Sequence, residues 1–227
     1  MRRVLILVLI GGLLATSVNA RRPKDRAGKV AEGVYIDKAY NFKLTMNESW
    51  KHKVSENKRK CRLVLTQINY EIPSHYLDAQ DYTKIPRTVV YVDSTNLSVA
   101  ALIDSLLSDS YKSDLKKGIL KEFEILNESS GGSGLKREKL VPRKRKTLNI
   151  GSDRGFMWTG KVKYRNEISR SASSIATKRV YGGYAGGIVG VKKGEMVILF
   201  HTISEENYFG DVFNETLRLA QSLEWVE

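Results

Sequence analysis

Most of the strand-like runs in this chain are separated by only a few residues, and a short connection forces neighbouring strands to pair antiparallel. Residues 34–37 and 40–46 flank a tight turn. In the second run Tyr40, Phe42, Leu44 and Met46 alternate with Asn41, Lys43 and Thr45, the period-two pattern of a half-buried strand. Trp50 follows, placed to seal one end of a sheet. Residues 62–68 and 88–92 are rich in Val, Ile, Leu and Thr and read as further strands, with Pro73 and Pro86 marking a loop or short helix between them. Residues 147–150 and 156–164 form a predicted hairpin across Gly151-Ser152-Asp153-Arg154-Gly155, with Phe156, Trp158, Val162 and Tyr164 on one face. Residues 180–191 and 195–203 form another across Lys192-Lys193-Gly194.

Helical periodicity interrupts these runs three times. Leu97, Val99, Leu102, Ile103, Leu106 and Leu107 predict a helix over 97–108, with Ser94, Thr95 and Asn96 as candidate caps. Leu115, Ile119, Phe123 and Leu126 keep the three-and-four spacing and read as a second helix that ends in a strand, weakened by Gly118. Phe209, Phe213, Leu217, Ala220 and Leu223 line one stripe of a closing helix, with Asn207 as its cap. Strands, helices, more strands and a last helix make an α+β chain: a twisted antiparallel sheet covered by helices.

The first twenty residues read as a secretory signal peptide. Arg2 and Arg3 precede an apolar stretch over 4–15 that is too short to span a membrane comfortably, and Val18-Asn19-Ala20 supplies small residues for cleavage after Ala20. The expectation is a periplasmic or secreted protein, with no transmembrane helix after cleavage, so cytosolic nucleotide-driven and redox chemistries are excluded. Residues 21–33 read as a flexible basic lead-in, and 34–227 as a single α+β domain carrying a long basic hairpin loop near 127–146, after the flexible sequence Asn-Glu-Ser-Ser-Gly-Gly-Ser-Gly-Leu that starts at Asn127.

The single cysteine, Cys61, cannot close an internal disulfide, so the fold rests on its core. Its alternation with Leu63 and Leu65 reads as burial rather than reactivity. The formal net charge is +13, and losing Arg2 and Arg3 lowers it by two, which points to an anionic neighbour. The positive charge clusters. Lys136, Arg137, Lys139, Arg143, Lys144, Arg145 and Lys146 place seven cations in eleven positions, and Lys51, Lys53, Lys58, Arg59, Lys60 and Arg62 form a second group. The first cluster is the candidate surface for anionic binding, to phospholipid or acidic polysaccharide. The competing reading is a set of solvated loops. Nucleic acid fits the charge, but no recognition helix or aromatic stacking set accompanies it.

The two ends of the chain share a further pattern. Tyr35, Ile36 and Tyr40-Asn41-Phe42-Lys43-Leu44 lead to Trp50. Near the other end Met196-Val197-Ile198-Leu199-Phe200 precedes Ser204-Glu205-Glu206 and a helix closing on Ser222-Leu223-Glu224-Trp225. This pattern resembles the PsbP-like superfamily, which includes the bacterial DcrB-like envelope proteins, over residues 34–54 and 180–227. The resemblance implies an antiparallel sheet between helices, an α/β/α sandwich, and an accessory or binding role. It carries no shared catalytic set, so no site residue is transferred.

Several motifs fail on their context. The run Gly182-Gly183-Tyr184-Ala185-Gly186-Gly187-Ile188-Val189-Gly190 is rich enough in glycine for a phosphate cradle, but a β-like segment follows where a dinucleotide fold needs a helix. Glycines inside strands mark bulges or close packing instead. His52, His75 and His201 have no ligand-type partner at zinc spacings, and His52 sits in a basic loop with Lys51 and Lys53. No Gly-x-Ser-x-Gly elbow occurs. Glu205, Glu206 and Asp211 lie near the last helix start, where negative charge offsets the helix dipole. The sequons at Asn47, Asn96, Asn127 and Asn214 are inert if the chain is bacterial.

The expectation is therefore an exported, non-catalytic accessory protein of the cell envelope, with no cofactor and no metal, whose partner is an envelope protein or an anionic surface. The alternative is an envelope hydrolase with a site assembled from distant residues, for which Cys61 and a histidine are the available nucleophile and base.

Overall fold

A computed structural model describes residues 25–67, 86–108, 110–129, 135–166 and 183–226. Of these, the side chains of 123–129, 135–138 and 164–166 lie outside the described set. The expected leader over 1–20, His75 and most of the loop between residues 68 and 88 also lie outside it.

The described residues form eleven strands and three helices in the order β1 (Gly28–Ala31), β2 (Val34–Asp37), β3 (Phe42–Thr45), β4 (Trp50–Val54), β5 (Cys61–Gln67), β6 (Arg87–Ser94), α1 (Val99–Leu107), α2 (Asp114–Ser129), β7 (Leu135–Ile150), β8 (Asp153–Asn166), β9 (Tyr184–Lys193), β10 (Met196–Glu205), α3 (Phe209–Gln221) and β11 (Glu224–Trp225). Every pairing is antiparallel. A seven-stranded sheet runs β4-β5-β6-β10-β9-β8-β7, and a four-stranded sheet runs β1-β2-β3-β11.

The large sheet buries both faces. On one, Val89, Leu199, Ile188, Trp158 and Val162 pack beneath α1 and α2. On the other, Val90, Phe200, Val189 and Met157 meet α3 and the small sheet, with Tyr35, Phe42, Leu44 and Phe213 between them. The antiparallel expectation stands. The helical cover is narrower than expected, because the small sheet occupies part of the face that α3 leaves open.

The glycine run lets the helices approach. A Cβ at Gly187 would lie 2.3 Å from Phe213 of α3, and one at Gly190 would lie 2.4 Å from Val99 of α1. Alternate positions of β9 thus seat helices on opposite faces of the sheet. This is the packing role read from the sequence, and β9 leads into a hairpin with β10.

Four expectations need correction. The lead-in over 21–33 contains β1, which pairs with β2 at Gly28 opposite Asp37; a side chain at Gly28 would collide with the Ile36 carbonyl. The basic loop around His52 is the edge strand β4. Within the expected basic hairpin loop near 127–146, the described residues belong to the end of α2 and to β7, a strand of 16 residues. Finally, the caps shift. Ser98 caps α1, accepting from the Ala101 N–H at 3.2 Å, and α3 starts at Tyr208 with no side-chain cap.

One buried ion pair ties the two sheets together. Arg62 of β5 donates from Nε to Asp37 Oδ2 (2.7 Å) and from Nη2 to Asp37 Oδ1 (3.0 Å), with Asp37 on β2. Its remaining donors reach the carbonyls of Ala27, Asn57 and Arg59. Asp37 also accepts from Tyr35 Oη (2.7 Å) and from the Ala39 and Tyr40 N–H groups. Burial, reinforced by the Asp37 carboxylate, holds the Tyr35 phenol well above its ordinary range.

Candidate functional site

β7 is an edge strand, and its sequence suits one. Charged residues and Pro142 blunt its unpaired side, and proline is tolerated in a sheet only at such an edge or at a bulge. Two register shifts, between Arg137 and Lys139 and between Pro142 and Lys144, give β7 extra residues against β8. The second shift matters for charge. Strict alternation would send Lys139 and Lys144 to opposite faces, whereas the bulge at Arg143 resets the phase. Lys139, Lys144 and Lys146 then stand opposite Lys163, Thr159 and Met157, positions of β8 that share one face with α3.

The seven candidate residues therefore separate. Lys139, Lys144 and Lys146 are exposed on the α3 face beside Lys163, and none has an ion-pair partner among the described residues. Arg145 turns to the other face, where it pairs with Asp104 of α1 and lies 5.7 Å over the Phe156 ring. Arg143 pairs with Glu206. Lys136 is in register with Arg165 and Arg137 with Tyr164, with their side chains outside the described set. Lys161, on the lysine face, joins Glu206 at 2.7 Å. These two cations, Lys161 first, hold the Glu206 carboxyl below its ordinary range. Arg143 and Arg145 are engaged by carboxylates, and the candidate residues left exposed with no ion-pair partner among the described residues are lysines.

Edge protection explains lysines on β7 but not Lys163 on the interior strand β8. Lys139 and Lys163 are direct cross-strand neighbours of like charge, an arrangement that destabilises a sheet. Nothing within the described fold compensates it. Sequence reading grouped Lys139, Lys144 and Lys146, which the register brings to one face, but did not include Lys161 and Lys163, because the register that brings them alongside is set by bulges.

The second basic group disperses. Arg62 is buried on Asp37, Lys60 pairs with Asp93 at 2.7 Å, and Arg59 pairs with Glu56 at 3.4 Å. Lys51 and Lys53 remain exposed on the opposite edge strand, β4.

Among the described residues, Cys61 and His201 stay apart. Cys61 stands opposite Tyr91 and His201 opposite Val89, on either side of β6. Strand spacing puts their Cα atoms roughly 12 Å apart, and side chains perpendicular to a sheet keep that separation. Burial raises the Cys61 pKa, which keeps it a thiol, and burial with Arg87 nearby pushes the His201 imidazole down to about 3. Glu122 of α2 forms an ion pair with Arg87 (2.6 Å) and accepts from Tyr91 Oη (3.4 Å); burial raises its pKa. No group of three or more potential metal ligands occurs among the described residues. A cavity of about 310 Å³ opens between α3 and the sheet, walled by Met46, Trp50, Leu65 and Leu219, with the Trp50 indole held by Glu215 at 2.6 Å.

PsbP is among the chain's structural neighbours. The solution structure of cyanobacterial PsbP (CyanoP) from Synechocystis is similar at 10% identity, covering 87% of this chain and 96% of that one, with a TM-score of 0.45. A protein from Bacteroides thetaiotaomicron is similar at 8% identity over 90% of this chain and 50% of that one, with a TM-score of 0.43. LpqN, involved in cell envelope biogenesis of Mycobacterium tuberculosis, is similar at 6% identity over 82% of this chain and 83% of that one, with a TM-score of 0.37. No family model and no curated protein sequence matches the chain. No helix among the described residues is long and apolar enough to cross a membrane.

Proposed function

We propose that this chain is an exported, non-catalytic accessory module of the cell envelope that docks the lysine face of β7–β8 onto an anionic phospholipid surface. The observation that carries the reading is the Lys139–Lys163 pair, two like charges held side by side on an exposed face. An anionic partner removes the repulsion left in place among the described residues. Lys144 and Lys146 extend the same face, giving a patch two strands wide rather than a single line of charge. A patch of that shape suits a plane of headgroups better than a thread of polysaccharide. Lysine, a compact charge on a flexible stem, suits a loose phosphate-bearing plane, whereas bidentate recognition of one defined group favours arginine. Export rests on the leader read over residues 1–20. The separation of Cys61 from His201 leaves that one nucleophile–base pairing unassembled.

The test is co-sedimentation with vesicles of phosphatidylcholine alone or mixed with phosphatidylglycerol. The full chain and a variant with Lys139, Lys144, Lys146 and Lys163 changed to Gln are compared. At about 1 kcal/mol per basic residue near a charged membrane, losing four weakens binding by a factor on the order of several hundred at low salt. Binding is expected only with phosphatidylglycerol, and it falls as salt rises. Equal binding by variant and wild type refutes the reading, as does capture by an acidic polysaccharide with no binding to vesicles.

A further inference from the structure

Glu206 is set into the lysine face in a way that the docking reading alone does not require. It lies in the turn between β10 and α3, and its N–H bonds the Gly183 carbonyl at 2.7 Å. Its two carboxylate oxygens are divided between strands: Oε2 accepts from Lys161 Nζ of β8 at 2.7 Å, and Oε1 accepts from Arg143 Nη2 of β7. Arg143 reaches it from the bulge beside Pro142. A bulge in this position re-aims a side chain that regular pairing would send elsewhere. Gly183 leaves the carboxylate its space, because a Cβ there would stand 2.1 Å from Glu206 Oε2. Two cations from adjacent strands thus converge on one anionic group whose oxygens are both engaged, a geometry that a phosphate reproduces. The occupant is a partly exposed side chain, which an external anion can displace.

We propose that Arg143 and Lys161 form a headgroup-phosphate subsite of the lysine face, closed in the free protein by the Glu206 carboxylate and taken over by an anionic phospholipid on docking. This rests on the docking reading and adds an internal competitor to it. Glu206 then restrains binding to sparsely charged surfaces, because the phosphate must displace a carboxylate already in place.

Two variants separate this from a structural strut. Glu206→Gln removes the competing charge. Gly183→Ala leaves the net charge untouched and pushes the carboxylate out of its seat: its methyl would overlap the far end of the flexible Glu206 side chain, while Lys161 Cε, at 3.4 Å, stays at ordinary contact distance. Both are measured beside wild type on vesicles of phosphatidylcholine with phosphatidylglycerol, with thermal unfolding as the control for folding. Glu206→Gln is expected to bind about fivefold tighter, the gain of one more uncompensated basic residue near a charged membrane. Gly183→Ala is expected to bind tighter as well, by roughly twofold to fivefold on the same scale. If wild type binds and neither variant binds more tightly, Glu206 is a strut and the inference falls. It falls equally if only Glu206→Gln gains, since net charge then explains the effect. Absence of binding by wild type and both variants defeats the docking reading itself. If Glu206→Gln does not fold, Gly183→Ala decides alone.

Discussion

Replacing Arg62 with Met tests how the two sheets are held together. Arg62 and Asp37 have side-chain exposures of 1% and 0%, so the pair is shielded from solvent screening. The guanidinium spans the Asp37 carboxylate of β2, the Ala27 carbonyl that precedes β1, and the carbonyls of Asn57 and Arg59 in the turn before β5. Methionine fills much of the same volume but satisfies none of these acceptors. Asp37 keeps only Tyr35 Oη and two backbone N–H groups, and its charge stays buried. Breaking a buried pair by removing one partner costs about 3–5 kcal/mol. At about 2–4 °C per kcal/mol for a chain of this size, the unfolding midpoint falls by roughly 10 °C. Urea unfolding of wild type, Arg62→Met, Asp37→Ala and the double variant gives the coupling energy directly. The double variant should be more stable than the sum of the single losses, because it leaves no orphaned charge. A loss under about 1 kcal/mol for Arg62→Met, or strict additivity in the cycle, refutes the claim that this pair joins the sheets.

Two further perturbations probe the core. Gly187→Ala places a methyl 2.3 Å from the Phe213 ring and 3.1 Å from Phe209, two rings stacked at 5.3 Å. α3 must shift, at about 1–3 kcal/mol by chemical denaturation, and an unchanged midpoint contradicts the close seating of α3 on β9. His201 stays neutral in the fold down to about pH 3, against an ordinary value of 6.5, while the unfolded chain protonates near 6.5. Its contribution is complete above about pH 6.5 and is lost as pH falls toward 3, with a slope of up to about 1.4 kcal/mol per pH unit. His201→Gln should flatten the stability curve between those limits, and parallel curves for the two proteins refute the assignment.

The hairpins and helices that bury apolar residues were legible: one-sided burial imposes a period on the stripe of α3 and on the alternation around Phe42 and Leu44, and burial on both faces makes β9–β10 a nearly unbroken run of apolar and small residues. The edge strands were not. Most of the first twelve residues of β7 are charged on both faces, since the strand pairs on one side only and lies at the border of the sheet, so no alternation marks it. β4 hides in the same way behind Lys51, His52 and Lys53. Gly28 of β1 belongs to a strand because its missing side chain admits the Ile36 carbonyl, a contact that composition reads as a linker. The burial of Arg62 was illegible because its partner lies 25 positions away on another sheet. The candidate cluster was half legible. Residue type marked Lys139, Lys144 and Lys146, but their common face and the addition of Lys161 and Lys163 depend on bulges that leave no periodic trace.

Lysine acetylation read by mass spectrometry, with and without phosphatidylglycerol vesicles, tests the docking face most directly. Lys51 and Lys53 on β4 serve as an internal reference, exposed on the opposite edge of the same sheet. Vesicles should protect Lys139, Lys144, Lys146 and Lys163 while leaving Lys51 and Lys53 reactive. Equal protection at both edges, or protection confined to β4, contradicts the account.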